Sequence, residues 1–149
     1  MVGTNNVSVV ELNGTVLFDL AAAWADRIVA RKYGDAIKAG DVPLTVPPSP
    51  RSLVLVHFDD VMTSEAVEAW AKENGYEPAF IEDVLAVGSC PEYWELQRQF
   101  PIVTLGSSAV ILGKRLVPYL RGNGSVRNLY LYWCEDVWDA RFRFLLRKA

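Results

Sequence analysis

Beyond Phe100 the apolar residues of this chain change from helical spacing to alternation, and they do not change back. Residues 100–106, 115–120, 128–133 and 141–147 each read as a strand. The turns between them are Gly113, the run Gly122-Asn123-Gly124-Ser125, and Glu135-Asp136. Upstream, Ser52-Leu53-Val54-Leu55-Val56-His57-Phe58 reads as a buried strand that ends at Asp59-Asp60. Two helices are expected next. In the first, Thr63 or Ser64 caps the start, Glu65 sits in the first turn, Ala66, Val67, Trp70 and Ala71 form an apolar face, and Asn74-Gly75 supplies a left-handed stop. The second begins at Pro78, with Ile81, Val84 and Leu85 facing inward. Helices segregated from strands in this way predict an α+β fold with an antiparallel meander at the carboxy terminus.

With 149 residues, 51% of them hydrophobic, the chain can bury one core and is too short for two ordinary domains. Its apolar runs are strand-sized, well under the roughly 20 residues a membrane helix needs, so no membrane insertion is expected. The first thirteen residues lack a basic stretch followed by an apolar one, so no secretory signal is visible. That fits a cytoplasmic protein, or one reaching a surface by a route not visible here. Residues 16–38 keep helical spacing, and four prolines crowd into 41–50. The organisation expected is therefore an amino-terminal helical extension and Pro-rich connector over 1–50, followed by the main domain over 51–149. A monomer is expected, with residues 16–38 as the segment to test for oligomerisation.

Cys90 and Cys134 lie far apart and match no metal spacing, and His57 is the only histidine, so a Cys/His zinc site cannot be assembled. Both cysteines read as free thiols, and no metal or cofactor is expected. Catalysis would need a base or nucleophile with a partner. His57 sits in an apolar strand and reads as a hydrogen-bonded core or pleat residue, and Cys134 stands beside Glu135 and Asp136, without the positive setting that activates a thiol. No enzyme activity is expected.

Charge is divided unevenly along the chain. Residues 1–97 hold six Lys/Arg against fifteen Asp/Glu, whereas residues 98–149 hold nine against three. A basic carboxy-terminal sheet admits one alternative function, a polyanion or nucleic-acid-binding module in which bases stack on Tyr130 and Tyr132. No nucleic-acid motif appears, so this is the second reading.

The carboxy-terminal block carries a resemblance. Leu129-x-Leu131-x-Trp133, Trp138-Asp139 and Arg143-Phe144-Leu145-Leu146-Arg147-Lys148 are preceded by Phe100-Pro101-Ile102-Val103-Thr104-Leu105-Gly106-Ser107 and Val117-Pro118-Tyr119-Leu120. Over about residues 53–148 this resembles the variable proteins of diversity-generating retroelements. The resemblance implies a C-type-lectin-like fold with paired terminal strands and a variable region at about 106–149. It also implies that codons are rewritten at their adenines, so that one exposed face binds changing ligands, expected to be proteins.

Rewriting an Asn-type codon at its adenines cannot yield Lys, Glu, Gln, Met or Trp. Trp133, Glu135, Trp138 and Lys148 are therefore fixed, and Trp133 and Trp138 are expected as buried scaffold. If Leu129 and Leu131 face the core, alternation turns Asn128, Tyr130 and Tyr132 to solvent. The binding face implied is Tyr119, Arg121, Asn123, Asn128, Tyr130, Tyr132, Cys134, Asp136, Val137, Ala140, Arg141 and Phe142. Without the resemblance, the same tyrosines read as the solvated side of an edge strand. The calcium triplets of lectins are not in working form, since Glu77-Pro78-Ala79 and Trp138-Asp139-Ala140 both lack the needed amide. The cysteine arrangement of the formylglycine-generating enzymes, which share the broad fold, is also missing.

Overall fold

The computed structural model describes residues 7–12, 52–81, 83, 84, 87, 99–111, 113–123, 126–135 and 137–149. The helix expected over 16–38, the Pro-rich connector, Cys90 and Asp136 lie outside the described residues, as do the side chains of Asn123 and Asn128.

The chain is a mixed α+β structure dominated by one sheet. Its strands are β1 (Val7–Glu11), β2 (Leu53–Phe58), β4 (Tyr76–Pro78), β5 (Ile102–Val103), β6 (Ala109–Ile111), β7 (Lys114–Asn123), β8 (Val126–Trp133) and β10 (Arg143–Lys148), while β3 (Met62–Thr63) and β9 (Val137–Trp138) form a separate two-stranded ladder. The sheet order is β1-β2-β10-β5-β7-β6, with β4 beside β10 and β8 beside β7. The expected pairing of the two terminal strands is present. Arg143 lies opposite His57 and Arg147 opposite Leu53, in antiparallel register.

Three expectations need correction. The carboxy-terminal strands are not a simple antiparallel meander, because β10 returns to the sheet centre and runs parallel to β5. One edge of β10 is shared, its start pairing with β5 and its end with β4, so the chain must cross over to reach it. The strand expected over 100–106 is reduced to Ile102–Val103. Beyond it Gly106 passes so close to Ala79 that an added Cβ would lie 2.5 Å from the Ala79 carbonyl oxygen, and the Gly106 amide donates to that carbonyl at 2.9 Å. Finally, the described residues contain one continuous helix, not two. Pro78 ends β4 instead of starting a helix; downstream, Ile81, Asp83, Val84 and Val87 have helical geometry, with intervening residues outside those described.

The sheet also reaches further than expected. Strand β1, in the segment expected to be an extension, pairs along the whole of β2. Polar and apolar residues mix in Val7–Glu11, and four of its five residues are exposed, so no periodic signal marks it.

Helix α1 (Ser64–Glu73) forms for the reasons legible in its sequence. Thr63 Oγ1 accepts the Ala66 amide at 3.1 Å, Glu65 lies at the positive end and Lys72 at the negative end, and Gly75 takes φ +82° just past the C-cap Asn74. Val67 and Ala71 are buried against the sheet. Register then sorts the sheet residues into two faces. Val54, Val56, Phe58, Val103, Val117, Phe144 and Leu146 join Val67, Ala71, Met62 and Trp138 in the core under α1. On the opposite face Leu55, Leu145, Ile102 and Leu120 are buried as well, as are Ile81, Val84 and Val87. The central strands are thus covered on both sides, which explains their unbroken apolar runs. Each fully buried Leu or Phe contributes about 1.5–3 kcal/mol.

Candidate functional site

The β7–β8 hairpin places Tyr119 opposite Tyr130 and Val117 opposite Tyr132. Because Val117 belongs to the core under α1, its face also carries the three tyrosines. The rings interlock. Tyr119 stacks on Tyr130 at 5.2 Å between centroids and meets Tyr132 edge-on at 6.1 Å, and Tyr132 tilts against Trp138 at 5.2 Å. Phe142 closes the group, 6.1 Å from Tyr119, 6.0 Å from Tyr132 and 4.9 Å from Trp138. From Trp138 aromatic contact continues through Phe144 and Phe58 to Trp70 and Tyr76, so the tyrosines sit at one end of a line of rings through the core.

This revises the expected assignment of faces. Tyr119, Tyr130 and Tyr132 are half-buried, not free in solvent, and Leu131 on the opposite side is half-buried too. The cause is the segment 134–142, which folds back over the tyrosine face. Tyr119 feels that cover directly. Burial, and after it the neighbouring Tyr130, raises its phenol pKa above the ordinary value, while Arg121 and Arg141 pull the other way.

The returning segment is held at several points. The Cys134 amide donates to the Arg115 carbonyl at 2.9 Å, and Ser64 Oγ donates to the Cys134 carbonyl at 2.7 Å. The short ladder sets Met62 opposite Trp138. His57 Nε2 lies 2.9 Å from the Ala140 carbonyl, a contact in which the ring nitrogen is the donor, and Arg143 reaches the carbonyls of Ala140 and Arg141, both at 3.1 Å. His57 thereby pins the turn in place.

Several expected positions fall elsewhere as a result. Cys134, expected on the binding face, is a buried free thiol whose Sγ lies 3.5 Å from Ser64 Oγ. Phe142 is buried too, because the turn tucks its ring between Tyr132 and Trp138. Trp138 is fully buried as expected, but Trp133, expected as its scaffold partner, is 39% exposed. Trp133 ends β8 opposite Leu116, on the side away from Trp138, where the Lys114 ammonium lies 5.6 Å from its ring centroid. Val137 and Arg141 are exposed and Ala140 is half-buried.

Beside the tyrosines lies a cleft of about 600 Å³, walled by Phe100 and Pro101, by Arg121 of β7, and by Asp139, Ala140, Arg141 and Arg143. Asp139 and Arg141 form a local clamp. The Arg141 amide donates to Asp139 Oδ1 at 2.9 Å, its Nε reaches both carboxylate oxygens at 3.0 Å, and Nη2 reaches Oδ2 at 2.9 Å. These contacts hold the Asp139 carboxyl below its usual pKa and the Arg141 guanidinium above its own. The Arg143 guanidinium carbon lies over the Phe100 ring, 3.7 Å from its centroid, and burial lowers the Arg143 pKa. The arrangement can bind anions and planar groups.

Arg121 and Arg141 were identifiable from the sequence as face residues, whereas Arg143, Phe100 and Asp139 were not. The available signal was Asp139-Ala140-Arg141: an Asp two residues before a turn amide is the pattern of an Asx turn, which ends a strand reading at 141. Among the described residues no three His, Cys, Asp or Glu side chains cluster to hold a metal, and no helix is long and apolar enough to cross a membrane. Comparison of the chain with protein-family models, curated proteins and solved structures finds no match in any of the three.

Proposed function

We propose that this chain is a non-enzymatic ligand-binding protein of C-type-lectin-like type, whose carboxy-terminal surface is diversified by a retroelement and binds changing protein ligands. The observation that carries this reading is the joining of Tyr119, Tyr130 and Tyr132 into one cluster of rings on one face of the sheet, next to an open cleft lined by Arg121 and Arg141, whose charges act on Tyr119. Tyrosine and arginine supply large contact area with adaptable hydrogen bonds, the composition of binding hot spots. Support also comes from the way the turn is built. His57, Ser64 and Trp138 anchor 134–142 from beneath, leaving Val137 and Arg141 exposed.

Two measurements test the reading. Selection of binders from a library varied at Tyr130, Val137, Ala140 and Arg141 should return different ligands on an unchanged fold. The neighbouring DNA should carry a reverse transcriptase gene and a near-copy of the codons for about residues 117–148, differing at adenines. A library that yields only unfolded proteins, or a complete genome without that repeat, would end the proposal.

A further inference from the structure

We infer that the cleft between β7 and the 139–143 turn takes carboxylate side chains from an acidic segment of a partner protein. This rests on the binding-protein reading above and names the chemistry of its ligand.

Charge pairing in this cleft is incomplete. Among the described residues, three guanidinium groups line the cleft, from Arg121, Arg141 and Arg143, against the one carboxylate of Asp139. That carboxylate is taken up by Arg141 through three contacts of 2.9–3.0 Å. Arg143 spends Nη1 on the carbonyls of Ala140 and Arg141, and among the described residues no carboxylate offsets its burial. Arg121 is exposed at the rim. A half-buried cation without a counter-charge is costly, and an incoming anion relieves it.

Geometry selects the anion. A guanidinium fork matches a carboxylate through two parallel N–H bonds, and the Asp139–Arg141 pair shows this chemistry at the same place. Phe100 and Pro101 supply an apolar wall for the stem of a glutamate or for neighbouring peptide carbons. A long polyanion fits less well. The chain carries a net charge of −3, with fifteen acidic residues before position 98, so attraction is confined to the cleft and falls off within about 10 Å at moderate salt.

The test uses the full chain and a fluorescein-labelled glutamate-rich peptide, read by anisotropy, with Arg121→Gln, Asp139→Asn and Lys72→Gln variants and a single-stranded oligonucleotide as second probe. The peptide should bind. Arg121→Gln should weaken it by about tenfold, and Asp139→Asn, which frees the Arg141 fork while keeping an acceptor for its amide, should tighten it several-fold. Lys72→Gln, on the exposed last turn of α1, should change nothing. If Asp139→Asn perturbs folding by circular dichroism, the exposed Arg121 variant decides alone. No peptide binding, equal binding by the Arg121 and Lys72 variants, or tighter oligonucleotide binding with a steep salt dependence would overturn the inference, the last in favour of a polyanion site. Protein ligands selected on the library but indifferent to Arg121→Gln would sink this inference and leave the binding-protein reading standing.

Discussion

The indole N–H of Trp138 donates to Ser64 Oγ at 2.8 Å, and the same hydroxyl donates to the Cys134 carbonyl at 2.7 Å. Ser64 is the first residue of α1 and Trp138 belongs to β9, so one buried hydroxyl ties the helix start to the beginning and the middle of the segment that covers the tyrosines. Removing it strands an indole N–H and a carbonyl in the core. Ser64→Ala should cost about 1–3 kcal/mol, and Trp138→Ala about 3–5 kcal/mol, by chemical denaturation. Trp133→Ala, at a half-open position, should cost under about 1 kcal/mol. Equal losses for the two tryptophans would contradict the burial found here.

Gly106 makes a second stability test. An alanine Cβ there would meet the Ala79 backbone, which cannot rotate away as a side chain could. Gly106→Ala should therefore cost about 1–3 kcal/mol, the range of overpacking, and shift residues 79–81 in amide spectra. Gly113, where nothing lies within 4 Å of an added Cβ, is strained by its φ of +76° alone, and its alanine variant should lose less.

The pH dependence has a definite sign on each side. Asp139 and Glu11 have folded pKa values below the ordinary carboxyl value, through the side-chain bonds to Arg141 and Lys148 respectively. Their contribution is present above that value and lost as pH falls through the lower folded one. Both pairs are exposed, so the loss is small. Tyr119 is shifted the opposite way, its phenol raised by burial. Its contribution is complete below the ordinary value of 10.0 and is lost as pH rises through the folded pKa. Thermal unfolding should thus be flat from about pH 5 to 9 and decline in alkali, and Tyr119→Phe should remove the part of that decline due to its phenol.

What the sequence disclosed follows from where a periodic pattern has a single cause. The helix 64–73 was legible because cap, apolar face and glycine stop agree, and β2 and β10 were legible as strands because both are apolar runs, whereas their pairing was expected through the resemblance alone. Strand β1 was not legible, since its partner lies more than forty residues away and its side chains face mostly outward. The orientation of β8 failed for a related reason. Alternation separates Tyr130 and Tyr132 from Leu131, but it does not say which face the segment 134–142 will later cover. The cleft was half legible: Arg121 and Arg141 could be named, while Phe100 and Arg143 come together only through the crossover that sets β10 beside β5.

Within the set implied by the resemblance, burial separates positions that tolerate change from those that do not. Arg141 and Val137 are exposed, Ala140 is half-buried, and Tyr130 is half-buried at the outer end of the aromatic group, in ring contact with Tyr119. Cys134 and Phe142 are buried, and Tyr132 packs on Trp138 and Phe142. Surface changes cost no more than about 0.5 kcal/mol, whereas truncating a core aromatic costs about 3–5 kcal/mol. Random substitution at 137, 140 and 141 should therefore leave most variants folded, with position 130 slightly less permissive. Substitution at 142 should unfold most variants. At 134 only small residues should survive, because the site is filled by a thiol against Ser64. Replacing Tyr130, Tyr132 and Arg141 together by serine should weaken the fold, and Tyr132 should account for most of that loss. Restoring Tyr132 alone should recover stability but not ligand binding. Protease resistance across such a library measures the pattern directly. Equal tolerance at 141 and 142 would mean that Phe142 does not pack as described, and the separation of binding surface from core at this turn would fail.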